Sequence, residues 1–172
     1  MKFSSWTYQG RELVPDKAGI YILYQGSPIK KIYTIDRKGI LYIGESSKLR
    51  NRLKIINANP QWKKWYYKNK DIMFDHSLLT FAVDFDDDFN LIAHNEVTGK
   101  GLLKEKASLK LSYVVKEKHK ETEGKLLRGH MMLFGQLPPF NIKGPSLRSV
   151  WESTDSKWNS DRRFYNETIN AL

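Results

Sequence analysis

Two tripeptides carry residues of unusual chemical promise. Gly19-Ile20-Tyr21 and Tyr42-Ile43-Gly44 each set a tyrosine near a glycine inside a short apolar run. Arg52 follows Tyr42 by ten residues, Glu123 comes much later, and Pro139-Phe140-Asn141 closes the set. Phenols on adjacent antiparallel strands approach within several Å when their register matches. A phenol can take a proton from water only if its pKa falls, which a neighbouring Lys, Arg or metal would bring about. The Arg52 guanidinium offers a planar fork matched to phosphate oxygens. Hydrolysis of a phosphodiester needs a water in line, a base, charge on the phosphate and help for the leaving oxygen.

The elements that must position these residues are legible in outline. Gly19–Tyr24 and Gly39–Gly44 read as β-branched and aromatic strands bounded by Pro15, Gly26, Pro28 and Gly39, most simply a long antiparallel hairpin. Ser46 or Ser47 is a fair N-cap for a helix from Lys48 to about Ala58, in which Leu49, Leu53 and Ile56 fall at helical spacing. Pro60 interrupts, and 61–70 predicts a second helical stretch. Residues 77–85 and 107–115 read as strands, and 91–97 as a short strand or turn. The spacing of Leu126, Leu127, His130, Met131 and Phe134 predicts a helix over Thr122–Phe134, ended by Gly135 and barred from resuming by Pro138-Pro139. The tail from Ile142 holds two helical possibilities, around Trp151 and Phe164. The acidic run Asp84, Asp86, Asp87, Asp88 lacks the glycine and terminal Glu of a calcium loop and reads as a solvated turn.

Charge narrows the partner. The 172 residues hold 29 Lys or Arg against 19 Asp or Glu, a net +10. Residues 1–70 are net +11, 71–99 net −7 and 100–128 net +5, so the positive charge is concentrated in blocks. Lys48, Arg50, Lys54, Lys63, Lys64 and Lys68 interleave with Trp62, Trp65, Tyr66 and Tyr67. Such a block neutralises phosphates and can stack bases, which points to a polyanion-facing surface. There is no cysteine, hence no disulfide, thiolate metal site or cysteine nucleophile. No apolar stretch approaches the length of a membrane span, and the first ten residues lack a signal-peptide core. A soluble cytoplasmic protein of one domain, residues 1–172, is expected.

The ordered motifs resemble the GIY-YIG nuclease superfamily, above all in Leu41-Tyr-Ile-Gly-Glu-Ser-Ser-Lys-Leu-Arg-Asn-Arg-Leu53. The resemblance covers about residues 19–141, with a basic and aromatic insertion at 57–76 and an extension at 142–172. It implies an α+β fold: a small, mainly antiparallel three-stranded sheet flanked by helices, with a β-β-α-β-α core. It further implies that Tyr21, Tyr42, Arg52, Glu123 and Asn141 form the catalytic set. Tyr21 is favoured as base, Tyr42 as a positioning phenol and Asn141 as a brace. Glu123 is the expected ligand of Mg²⁺ (or Mn²⁺), since one carboxylate with phosphate and waters suits that ion. Gly44 would admit substrate or a neighbouring helix, and Lys48, Arg50, Lys54, Lys63, Lys64 and Lys68 would face DNA.

Three positions depart from the family pattern. The family often places its Glu closer to the Asn, where this chain has Gly129; Glu121 and Glu117 are rivals to Glu123. Glu45 follows the second tripeptide where some members carry Lys. Ile56 stands where several relatives carry His or Tyr, leaving His76, His119 and His130 as substitutes by default.

The implied activity is a Mg²⁺-dependent endonuclease of double-stranded DNA, of sequence-specific restriction type because no separate specificity domain fits. Cutting both strands with one small site suggests a homodimer. Trp151, Trp158, Phe164 and Tyr165 could form its interface or simply cover the core. The alternatives are a structure-specific repair or recombination nuclease, and an idle nucleic-acid-binding module that keeps the fold.

Overall fold

In the computed structural model the chain runs β1 (Ser4–Ser5), a 3₁₀ turn (Arg11–Leu13), β2 (Gly19–Tyr24), β3 (Ile29–Lys30), β4 (Ile35–Asp36), β5 (Ile40–Ser46), α1 (Leu49–Lys54), β6 (Val83–Phe85), β7 (Leu91–Ala93), β8 (Lys110–Val115), α2 (His119–Phe134) and α3 (Asp155–Asn170). The structure describes residues 1–7, 9–54, 83–85, 91–93, 109–141 and 155–172.

The main sheet is antiparallel with strand order β1-β8-β2-β5. The α+β class holds. The sheet has four strands where three were expected, because β1 adds Ser4 and Ser5 beside Tyr113 and Ser112. Two serines carry no apolar alternation, so no side-chain pattern announces this strand. β2 is central and every one of its residues is buried. A strand covered on both faces needs no polar alternation, which explains the unbroken run Gly-Ile-Tyr-Ile-Leu-Tyr.

One face of the sheet packs Tyr21, Leu23, Tyr42 and Leu111 against Trp6, Val14, Leu49, Leu53 and Phe140. The other packs Ile20, Ile22, Ile40 and Ile43 against Leu126, Leu127 and Phe134 of α2 and Tyr165 and Ile169 of α3. α2 and α3 touch closely at Gly129, where a Cβ would lie 2.6 Å from Tyr165 Cβ and 2.7 Å from the Asp161 carbonyl. Arg128 Nε, 2.6 Å from Asp161 Oδ2, ties the same two helices. Tyr165 is buried, and its ring meets His130 and Phe134 edge-on. Phe164 packs against the same cluster, and Trp158 is half-buried. Trp151 lies outside the described residues.

The connection between β2 and β5 is a long hairpin, as expected, with its own ladder of β3 and β4. Asp36 organises its return. Oδ1 accepts from the N–H groups of Lys38 and Gly39, and Oδ2 from that of Ile40, at 2.8–3.1 Å. Gly39 takes φ 63°, a left-handed conformation that favours glycine. The helix expected from Thr122 starts three residues earlier, at His119, and ends as expected at Gly135, whose φ is 75° and whose N–H donates to the Met131 carbonyl. β6 and β7 pair antiparallel, and Asp86, Asp87 and Asp88 of the acidic run lie outside the described residues. No described helix is long and apolar enough to cross a membrane.

Candidate active site

Strand register brings the two tyrosines together. Tyr21 lies opposite Gly44, and Leu23 opposite Tyr42. The phenols therefore occupy a diagonal on one face, within reach of each other. Their ring centroids are 5.9 Å apart and their planes 30° from parallel. A Cβ at position 44 would lie 2.5 Å from Tyr42 Cε1, 2.6 Å from Tyr21 Cζ and 2.7 Å from the Tyr21 hydroxyl oxygen. Gly44 thus permits the close approach of the two phenols.

Burial pushes the Tyr21 phenol well above its ordinary pKa, and Tyr42 adds to this through its charge and a hydrogen bond; Arg52 pulls the other way but loses. The expectation that nearby cations lower this phenol is not met in the free protein. Desolvation wins because Tyr21 is buried almost completely, at 1% exposure. Tyr21 is a neutral hydroxyl here, able to donate or accept a hydrogen bond.

Arg52 comes from α1. Leu49 and Leu53 anchor that short helix in the core, and Leu49 N–H donates to the Lys17 carbonyl. Arg52, half-buried beside them, is near enough for its charge to act on both the Tyr21 phenol and the Glu123 carboxyl. Arg50 has a different task. Its Nε donates to the Val14 carbonyl at 2.7 Å, tying α1 to the segment before β2. Lys48 is exposed at the head of the helix, where its N–H donates to Ser46 Oγ at 3.0 Å. Lys54 ends α1. Lys63, Lys64, Lys68, Ile56 and His76 lie outside the described residues, as does the insertion that holds the lysines.

Glu123 arrives on α2, half-buried near Tyr21, Arg52 and Glu45. Burial, and then the Glu45 carboxylate, push its carboxyl from 4.5 to about 7, against the pull of His119 and Arg52. The rival acids are placed elsewhere. Glu121 is exposed and paired to Lys125 at 2.7 Å, and Glu117 is exposed. Gly129, where the family pattern would set the Glu, faces Tyr165 and Asp161 of α3 with no room for a side chain. The geometry therefore gathers Tyr21, Tyr42, Arg52 and Glu123 from β2, β5, α1 and α2.

Asn141 braces this assembly. Its Oδ1 accepts the Ile43 N–H at 3.0 Å and its Nδ2 donates to the Ile43 carbonyl at 2.7 Å. Phe140 N–H donates to the Leu41 carbonyl at 3.0 Å. Leu41 is the bulged residue, skipped where the ladder shifts from Leu23↔Tyr42 to Tyr24↔Ile40. Asn141 thus holds the strand that bears Tyr42 and acts through backbone, as a brace should.

Comparison with family models, with curated proteins and with solved structures finds no match. The likeness to GIY-YIG nucleases accordingly rests on the residues themselves.

Two further residues stand beside Glu123. His119 Nε2 lies 3.2 Å from Glu45 Oε2, beside Glu123. The sequence marks Glu45 only as a departure from the family pattern and His119 only as one of three histidines available by default. The available signal was helical: His119 precedes Glu123 by four residues, about one turn. His130, by contrast, is sealed between Phe134 and Tyr165 on the far side of the sheet.

Among the described residues, no three His, Asp or Glu side chains gather into a metal cage. The half-buried Glu123 carboxyl, raised to about 7 first by burial and then by the Glu45 carboxylate, would give up its proton more readily beside a divalent cation. That donor set fits Mg²⁺, which keeps most of its waters and takes one or two carboxylates with phosphate oxygens.

Proposed function

We propose that the chain is a divalent-metal-dependent endonuclease that hydrolyses phosphodiester bonds of double-stranded DNA. The observation that carries this reading is the convergence of two phenols, one guanidinium and one half-buried carboxylate from four separate elements. Arg52 neutralises the phosphate, where a fixed cation acts on charge that grows in the transition state. Tyr21 and Tyr42 orient the attacking water; Tyr21 can serve as base only in the complex, since burial holds its proton in the free protein. Glu123, with Glu45 nearby, would hold Mg²⁺ or Mn²⁺, which when bound stabilises charge on the phosphate and the leaving oxygen. The net charge of +10 suits a polyanionic substrate. Two copies about a two-fold axis would cut both strands at a palindromic site.

The test is incubation with plasmid DNA and with branched oligonucleotides, in Mg²⁺ and in EDTA. Discrete plasmid fragments with Mg²⁺ alone are expected. Full cleavage in EDTA would remove the metal, and cutting confined to junctions or flaps would replace the restriction-type reading with a structure-specific one.

A further inference from the structure

We propose that His119 and Glu45 form a clamp that positions Glu123, so that both are positioning residues of the reaction proposed above. The inference rests on that reading.

Three of the four convergent groups share one rigid unit. β2 and β5 are joined by their ladder, and α1 is pinned to the segment before β2 by Leu49 N–H to the Lys17 carbonyl and Arg50 Nε to the Val14 carbonyl. Glu123 is different. It stands on α2, whose apolar body packs on the opposite face of the sheet through Leu126, Leu127 and Phe134. The carboxylate must be delivered by the first turns of that helix. Those turns begin without help from a capping side chain, since Lys118 at the N-cap makes no side-chain hydrogen bond to them.

His119, the first residue of α2, supplies the missing tie. Its Nδ1 lies 2.8 Å from the Glu117 carbonyl, an acceptor, so Nδ1 carries a proton. That bond turns the ring so that Nε2 faces the Glu45 carboxylate at 3.2 Å. Nε2 is sealed from solvent and has no aligned hydrogen bond, so the Glu45 contact is electrostatic rather than a well-directed bond. Glu45 is the last but one residue of the strand that bears Tyr42 and lies opposite Ile20, one residue after Gly44. The tie therefore joins the head of α2 to the strand of the second phenol.

The charges explain why a tie is needed. Glu45 and Glu123 repel, and unopposed they would push the head of α2 away from β5; the His119 ring, 3.2 Å from Glu45 Oε2, offsets that repulsion when it carries a positive charge. An imidazolium beside two carboxylates turns a repulsive approach into a bridged one. Groups that orient a metal-binding side chain typically change metal affinity 10–100-fold when removed.

The experiment compares the wild type with Glu45→Gln, His119→Gln, the double variant and the exchanged pair Glu45→His with His119→Glu. Mn²⁺ binding to the full chain without DNA is read by electron paramagnetic resonance. DNA cleavage is read as a function of Mn²⁺ concentration, after thermal melting shows that each variant is folded. Each single variant should bind Mn²⁺ about 10–100-fold more weakly. Cleavage should fall mainly through a raised half-saturating Mn²⁺ concentration, with much of the maximal rate kept. The double variant should be no worse than either single one, and the exchanged pair should recover most of the loss, which a merely structural contribution would not do. Single variants that bind Mn²⁺ and cut like wild type, or an exchanged pair no better than the singles, would overturn the clamp and leave the nuclease reading standing. A wild type that neither binds Mn²⁺ nor cuts DNA would overturn the nuclease reading and the clamp with it.

Discussion

Glu123→Gln should make the metal-free protein more stable while abolishing cleavage. The wild-type carboxyl is raised from 4.5 to about 7 by burial and by Glu45. A raised acid is one that the fold prefers protonated. Below about pH 4.5 it is neutral whether folded or unfolded, and no penalty exists. Between about 4.5 and 7 the unfolded chain releases the proton and the folded chain keeps it, so stability declines as pH rises. Above about 7 the full penalty is present. Taken at face value the shift is worth about 3 kcal/mol. The group is part-exposed, and solvent screening reduces that to about 1–2 kcal/mol. In a chain of this size the gain corresponds to roughly 3–6 °C in Tm. Thermal melts in EDTA from pH 4.5 to 8.5 should show the two proteins converging at the acid end and the variant leading at pH 8. Added Mg²⁺ should then raise the wild type and not the variant, because only a protein with the ligand gains from the ion. A variant that melts below wild type at pH 8 in EDTA would refute the reasoning, since Glu123 would then be a satisfied partner of Arg52 rather than a site in want of a cation.

The other predictions follow from the same geometry. Tyr21→Phe should fold normally and lose about 10²–10⁴ in single-turnover cleavage, the range for a group that handles a proton, with Tyr42→Phe losing less; a dead Tyr42→Phe and an active Tyr21→Phe would exchange the two roles. Arg52→Ala should lose far more rate than Arg50→Ala, whereas Arg50→Ala should lower stability by about 1–3 kcal/mol in urea titrations, the value of a charged donor to a carbonyl. Gly44→Ala should destabilise by about 1–3 kcal/mol and abolish cleavage, because a methyl there collides with both phenols; wild-type melting and activity would show that the rings relax freely. Asn141→Ala should lower the melting temperature and weaken cleavage through Tyr42, and hydrogen exchange at Ile43 should rise; an unchanged exchange rate at that amide would deny it the bracing role.

What the sequence disclosed depended on how local the cause was. Runs with their own period and stops, such as Gly19–Tyr24 and the helix ended by Gly135, were readable because side-chain pattern and turn chemistry agree there. β1 escaped because its place comes from β8, not from Ser4 and Ser5. The tyrosine pair could be anticipated from spacing, but the reason for Gly44 could not, since it depends on where two rings land after the strands pair. Position 129 was ambiguous on paper and is decided by α3, which fills the space a Glu would need. The Tyr21 phenol went the other way from expectation because burial is a property of the whole fold and outweighs the one cation the sequence could supply. Glu45 and His119 lie 74 residues apart and meet only when α2 docks on the sheet.

The Asn141 amide has a further consequence for how copies of this chain can meet. Among the described residues β5 is the outermost strand of the main sheet, and a strand edge is a template for adding another strand. Asn141 presents a primary amide that imitates a peptide group, offering one donor and one acceptor to Ile43 just as a neighbouring strand would. Phe140 occupies the next carbonyl, at Leu41. This stretch of edge is therefore already quenched by the chain's own backbone and side chain. A second copy joining sheet to sheet along β5 would first have to break these three bonds and loosen the strand that holds Tyr42. Strand addition along this stretch of β5 and an intact brace on Ile43 therefore exclude each other, which leaves β1, the helices and the loops as the faces through which copies could meet.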